Sequence, residues 1–295
     1  MDTGRFSFKW MVEDTAQGSW IEGKGIFLWL AFFFTEIGAG SYFVSLFMNF
    51  RAGWMVGWLT ALVLGGIFHV LYLGKPARGW RIFNGLMSSE LSRGLLVICI
   101  FAVIGLIQIL PAMISGLAWD GYEPILKATM GIVCVLLITH GFLTMGVVKA
   151  APMWNSPLMI PLSLISGIWV GSQVVEVLLA WLGLDMGMAE KWVRWSLLCF
   201  IGVLVLFLWW DGVHSSETAA SSIKRIINGD LSMKFYLLVV TIGIVVPLII
   251  TILIWNSDIN NVNGSILLLR AICVMIGDVM MRYCIMRAPL YTRLI

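Results

Sequence analysis

Eight runs of about 20 apolar residues, separated by polar or Pro/Gly-rich breaks, leave this chain few ways to fold, because that is the length a helix needs to cross the hydrocarbon core of a bilayer. They lie near residues 26–48, 53–73, 94–115, 126–148, 158–182, 192–210, 235–255 and 264–286. Apolar character is continuous within each run, whereas the strands of a membrane barrel would alternate at every second residue, so the expected fold is an all-α integral membrane protein. An even number of crossings puts both termini on one side. Composition agrees: 60% of residues are hydrophobic, 12% are charged and the mean hydropathy is +0.95, where soluble domains carry roughly a quarter charged residues. A polar lead over residues 1–25 (Asp2, Glu13, Asp14, Glu22) lacks the basic start and small-residue cleavage site of a signal peptide, so it is expected to stay on the protein; a C-terminal tail, 287–295, follows the last run.

Several functions are excluded at this point. A formal charge of +3 without a clustered basic face argues against nucleic acid as a partner. Cys99, Cys134, Cys199, Cys273 and Cys284 stand singly inside apolar runs, so neither an iron–sulfur cluster nor a structural zinc site is expected, and no bound metal or haem. The breaks differ by side. Those opposite the termini are short, at 49–52, 116–125, 183–191 and 256–263, whereas the terminal side carries the longer stretches 74–93 and 211–234 together with 149–157. Long loops on one face suggest a docking surface, with Arg78 and Arg81 as its candidate contacts. Basic residues collect on the same side, from Arg5, Lys9 and Lys24 through Lys75 to Arg287 and Arg293, against Arg51, Lys127, Lys191 and Arg194 on the other, which predicts cytoplasmic termini. Tryptophans near the ends of runs, among them Trp80, Trp119 and Trp192, fit interfacial belts.

An ionisable side chain inside a membrane costs a few kcal/mol, so each calls for a partner or a task. The candidates are Glu36, His69, His140, Glu176, Arg270 and Asp278. Arg270, Val274, Asp278 and Arg282 follow at four-residue steps and so lie roughly on one helix face, where Asp278 and Arg282 can pair. Two readings stand open for Arg270, Asp278 and Arg282: a charge-neutralised structural contact, or part of a proton path. Ser172, Gln173 and Glu176 share a face of the fifth run, and Glu176 is either a proton relay or the partner of a basic residue elsewhere.

His69 and Glu90 stand at the two ends of one basic loop, in the segments His69-Val-Leu-Tyr-Leu-Gly-Lys-Pro-Ala-Arg and Ser88-Ser89-Glu90-Leu-Ser92-Arg93. Imidazole titrates near neutrality and a carboxylate in a partly dry site can be raised toward it, so the pair suits uptake of the two protons a quinol releases on oxidation. Tyr72, Lys75 and Arg93 are within reach by sequence as hydrogen-bond donors. The alternative is a helix N-terminal charge at Glu90, paired with Arg93, and an imidazole satisfied at a helix end.

Leu73-Gly74-Lys75-Pro76-x-Arg78, with His69 before it and Ser88-Ser89-Glu90-x-Ser92-Arg93 after it, resembles the second-to-third-span loop of the polysulfide reductase membrane-subunit (NrfD-like) family, which includes the DMSO reductase membrane anchor. Fainter echoes are Gly38-Ala39-Gly40-Ser41-Tyr42-Phe43 in the first run and Gly277-x-x-x-Met281-Arg282-Tyr283 in the last. The resemblance implies two four-helix bundles and a quinol-binding anchor of anaerobic respiration without a redox centre of its own. It implies a ferredoxin-like partner with four iron–sulfur clusters, a molybdenum or tungsten (molybdopterin) catalytic subunit, and menaquinol in preference to ubiquinol. His69 and Glu90 fall on the positions tied to quinol binding in such anchors. Members that serve exported reductases carry the loop and termini outside, against the charge count. Some members also place Asn and His near the quinone in the first span, where this chain has Lys24, Trp29 and Glu36.

Two other readings compete. A haem b anchor would take axial ligands from His69, His140 or His214. A secondary transporter would use helices broken at Pro161 and Pro247, although no repeated halves are evident.

Overall fold

The computed structural model describes residue 11 and residues 13–114 and 121–293, with the side chains of residues 112 and 113 set aside. Arg5, Lys9 and Trp119, read above for sidedness and belts, lie outside the described residues. The chain opens with a short strand β1 (Thr15–Ala16), then runs through α1 (Gly25–Phe47), α2 (Arg51–Tyr72), a 3-10 segment (Pro76–Gly85), α3 (Glu90–Met113), α4 (Glu123–Gly146), α5 (Met159–Trp181) and α6 (Gly187–Val213). After these come α7 (Glu217–Ile227), α8 (Ser232–Leu253), α9 (Gly264–Arg287) and β2 (Leu290–Tyr291). Eight of these helices, all but α7, are long and apolar enough to cross a membrane. β1 and β2 pair antiparallel, Thr15 opposite Tyr291 and Ala16 opposite Leu290, which places the two ends of the described chain on one face.

Helices α1–α4 form one bundle and α5, α6, α8 and α9 a second, joined where α5 packs against α1 and α4 and where α9 meets α1. The core lies at that junction. In α1 and α5, 67% and 72% of the apolar window is buried, against 22–33% in α2, α3, α6 and α8, whose outer faces present Leu64, Ile67, Val103, Val205 and Leu253 to lipid. Between apolar helices in lipid no hydrophobic drive exists, so close backbone approach through small residues does the holding. Gly57, Ala61 and Gly65 line the face of α2 against Gly38 and Thr35 of α1, Gly40 meets Gly167 and Gly171 of α5, and Gly243 of α8 meets Gly277 of α9. A β-carbon at Gly40 would overlap the carbonyl of Gly167. Gly40→Leu is therefore expected to part the two bundles and lower the melting temperature of the purified chain, with a cost of about 1–3 kcal/mol or more because backbone, not a movable side chain, is in the way. An unchanged melting temperature would mean that the bundles are held elsewhere.

The terminal side is built up by local chemistry. Ser216 caps α7 by accepting from the Ala219 N–H at 3.3 Å, and the apolar side of that helix (Ala219, Ile223, Ile226) is buried on the second bundle. Arg225 holds Asp230 at 2.7 Å and donates to the backbone carbonyls of Arg287 and Ala288, tying α7 to the end of α9. That guanidinium keeps the Asp230 carboxyl below the usual carboxylate range.

Candidate functional site

The loop between α2 and α3 covers the terminal-side end of the first bundle. α2 carries a π-helical turn at Thr60–Gly65, ends at Tyr72 and gives way to Pro76, which starts the 3-10 segment because its missing N–H costs nothing there. Ser89 is extended and Glu90 begins α3. Between α2, α3, α4 and this loop lies a cavity of about 420 Å³, walled by Gly66, His69, Tyr72, Ile82, Phe83, Leu95 and His140 among others. Its size and mostly apolar walls, with few polar groups, suit a ring-bearing ligand.

His69 has a defined polarity. Its Nδ1 lies 2.8 Å from the Gly65 carbonyl, and because a carbonyl only accepts, Nδ1 carries the proton. Nε2 therefore presents a lone pair, and among the described residues it has no partner although it is buried. His140 enters the same cavity from α4, its Nδ1 3.4 Å from the Thr144 hydroxyl. Gly94 of α3 makes room for this ring, since a β-carbon there would overlap the imidazole. Phe32 of α1 stands edge-on to both rings, its centroid 6.1 Å from His69 and 6.3 Å from His140.

A second cavity of about 440 Å³ adjoins the first, sharing Leu28, Tyr72 and Leu91 with it and reaching Trp20, Ser88, Ser89, Glu90 and Thr144. Glu90 is also ion-paired with Arg93, as a first-turn carboxylate at the start of α3. Arg93 further donates to the carbonyls of Met87 at 2.9 Å and Leu86 at 3.3 Å. Its guanidinium is thus occupied in holding the turn before α3. Of the residues read from sequence, His69, Tyr72 and Glu90 come together around the two cavities, and His140 joins them. Lys75 and Arg93 line neither cavity: Lys75 is exposed on the loop and Arg93 is turned to backbone carbonyls. Arg78 and Arg81 are exposed on the 3-10 segment, Arg81 5.7 Å from the ring of Trp80.

The intramembrane charges form two separate clusters. Arg282 of α9 grips Glu36 of α1 with both terminal nitrogens, reaches Asp278 with Nε at 2.9 Å, and donates to Ser166 of α5 at 2.9 Å. The predicted Asp278–Arg282 pair is present, and Glu36 completes it across the bundle junction. Arg270 stands about three turns before Arg282 and joins a different set: Glu176 of α5, Glu190 of α6 at 2.8 Å and Thr251 of α8 at 3.2 Å. Arg194 holds Glu190 from its other side at 2.7 Å. Sequence reasoning missed Glu190 because the residue fell in the 183–191 break; its position four residues before Arg194 is the signal that marks it as helical. Among the described residues no group of three or more His, Cys, Asp or Glu is placed to hold a metal ion.

The family model described as "Polysulphide reductase, NrfD" matches residues 19–292, nearly the whole chain. No curated protein matches the chain.

Proposed function

We propose a function from one premise: the chain belongs to the NrfD (polysulphide reductase) family, whose members are membrane subunits of respiratory oxidoreductases. In this reading the chain binds a quinol, with menaquinol preferred, in the cavity beside His69 and exchanges its electrons with a ferredoxin-like iron–sulfur subunit of a molybdenum or tungsten enzyme. The observation that carries it is the buried, unpartnered Nε2 of His69 on the wall of a cavity that adjoins the loop-covered face.

Oxidation of a quinol releases two electrons and two protons. The electrons would leave for a cluster docked over the α2–α3 loop, which requires the ring to lie near that face, where the cavity is. The Nε2 lone pair accepts the hydrogen bond of one hydroxyl and takes its proton as charge leaves the ring, a general-base role. Tyr72 lies between the two cavities, and Glu90 in the second is the acceptor for the other proton. Glu90 is released for that role when its pairing with Arg93 loosens, and Arg93 retains its two carbonyl partners meanwhile. His140, facing the same space, gives the ring a second imidazole contact. The same groups run in reverse for quinone reduction.

Docking would use the exposed basic 3-10 segment. Reversing both charges, Arg78→Glu with Arg81→Glu, is expected to release the iron–sulfur partner while the chain stays inserted. Undiminished recovery of the intact complex on purification would count against this face. Family membership supports a prokaryotic inner-membrane protein, and the basic terminal side supports cytoplasmic termini. The test of the whole reading is addition of quinol to the purified, oxidised complex under anaerobic conditions: the partner's clusters become reduced, and complexes lacking this chain leave them oxidised.

A further inference from the structure

On the outer surface of the first bundle, in the half of the membrane opposite the termini, α1 and α4 leave between them an open groove of about 560 Å³. Phe43 and Phe47 of α1 form one side, and the ring of Trp192 from α6 lies 5.1 Å from that of Phe47. On the other side Lys127, Gly131 and Val135 succeed one another at four-residue steps along one face of α4, with Leu136 at the far end. From Lys127 to Leu136 the helix rises about 14 Å at 1.5 Å per residue, roughly half of a 30 Å hydrocarbon core, so the groove runs the depth of one leaflet. Gly131 has no explanation within the chain. A glycine inside a helix destabilises it relative to alanine. A β-carbon at this position would meet nothing within 4 Å, whereas one at Gly40 or Gly57 would overlap neighbouring backbone. No packed helix requires the missing side chain; what its absence does is keep the groove open.

The groove is apolar except at its end, where Lys127 stands at the level of the helix starts. The Lys127 ammonium is held in place by the Asn49 side-chain oxygen and by Glu123 at 2.6 Å, and it lies 5.8 Å from the ring of Trp54. Arg51 belongs to the same corner: it attracts Glu123, is exposed, and makes no ion pair among the described residues. Two cations therefore share one carboxylate there. Arg51 is also the first residue of α2, which starts with neither a side-chain cap nor an acidic residue in its first turn. A cation at the start of a helix has the wrong sign for the helix dipole, and an anion placed beside it has the right one. The corner is thus short of one negative charge, directly above a slot with the length of one leaflet.

We propose that this groove seats one anionic diacyl phospholipid, an acyl chain lying between Phe43, Phe47 and Gly131 and the phosphate of the headgroup resting on Lys127 and Arg51. The apolar slot selects a lipid over a soluble anion, and the excess cation selects a headgroup with net negative charge over a zwitterionic one. The lipid would also brace the seam between the bundles, since the Phe47 side of the groove is backed by Trp192 of the second. The site lies in the leaflet away from the α2–α3 loop and stands whether or not the cavity beside His69 takes a quinol.

Native mass spectrometry of the full chain in a neutral detergent, titrated with phosphatidylglycerol or with phosphatidylethanolamine of the same acyl chains, tests it. One phosphatidylglycerol is expected to bind at least tenfold more tightly than phosphatidylethanolamine. A surface Lys or Arg is worth about fivefold in affinity for an anionic headgroup, so Arg51→Gln with Lys127→Gln is expected to remove that preference, while Lys127→Arg keeps it. Gly131→Leu, which fills the slot and meets no protein atom, is expected to weaken phosphatidylglycerol tenfold or more with the melting temperature of the lipid-free chain unchanged. Millimolar inorganic phosphate is expected to leave the lipid bound. Equal affinity for the two lipids, or a preference that survives the double substitution, overturns the headgroup site. Undiminished binding in Gly131→Leu overturns the slot. Displacement by phosphate would make the corner a plain anion site, and a lipid-independent dimer would make the groove a contact between two copies; either overturns the proposal. Should the double variant fail to fold by its melting curve, Arg51→Gln alone, with about a fivefold loss expected, decides the headgroup.

Discussion

Complexes carrying His69→Leu are expected to lose at least ten-fold of their quinol-driven turnover while reducing the terminal substrate from an artificial dye at the original rate. Leucine fills a similar volume beside Gly66 and Leu73 and leaves the apolar wall of the cavity in place, but it has no lone pair. The quinol hydroxyl then loses both a hydrogen bond and its proton acceptor, and a positioned general base is worth roughly 10²–10⁴ in rate. Turnover from dye bypasses this chain and reports only on the partner subunits, so the split between the two rates is the diagnostic. If both rates fall together, His69 supports the assembly and not the chemistry. If neither falls, the ring binds away from His69. His140→Leu is expected to act in the same direction, because the residue lines the same cavity.

Arg282→Met should be among the most destabilising single changes in the chain. The guanidinium serves Glu36, Asp278 and Ser166 at once, from three helices of both bundles, and all four residues are buried. Removing it leaves two carboxylates in a low-dielectric junction without their cation, for which about 3–5 kcal/mol is the usual scale of loss. Taking away the whole set, Glu36→Gln with Asp278→Asn and Arg282→Met, is expected to cost less than Arg282→Met alone, because no charge is then stranded. Melting curves of the purified chain read both. Equal melting temperatures for wild type and Arg282→Met would show that the bundles are joined by their glycine contacts and not by this cluster.

The spans were legible because a bilayer imposes length and continuity on apolar runs, and the eight crossings follow from that alone. Their ends were less so. α3 begins at Glu90, ahead of the expected residue 94, because Ser89 and the Glu90–Arg93 pair make a helix start of residues that hydropathy counts as loop. α6 begins at Gly187, ahead of residue 192, because Glu190 is neutralised by Arg194 and by Arg270, a partner 80 residues distant. α7 lay hidden in the 211–234 stretch, where its capping serine and its apolar positions were present but the hydropathy of the whole was low. The site shows the same division. His69 and Glu90 were marked by one contiguous segment. That His140 faces His69 depends on a crossing of α3 and α4 made possible by the absence of a side chain at Gly94, which no local pattern announces. Arg270, Asp278 and Arg282 sit on one helix in register, yet they divide between two clusters because their partners come from different depths of α1, α5 and α6.

Photolabelling of the purified chain with an azido-menaquinone, followed by peptide mapping, tests the central claim most directly. The label is expected on the walls of the 420 Å³ cavity, in the segments 66–83 and 91–99 and near His140, to be displaced by unlabelled menaquinone, and to be reduced by His69→Leu. Displaceable labelling confined to the lipid-facing sides of α6 or α8, with these segments unmarked, would contradict it.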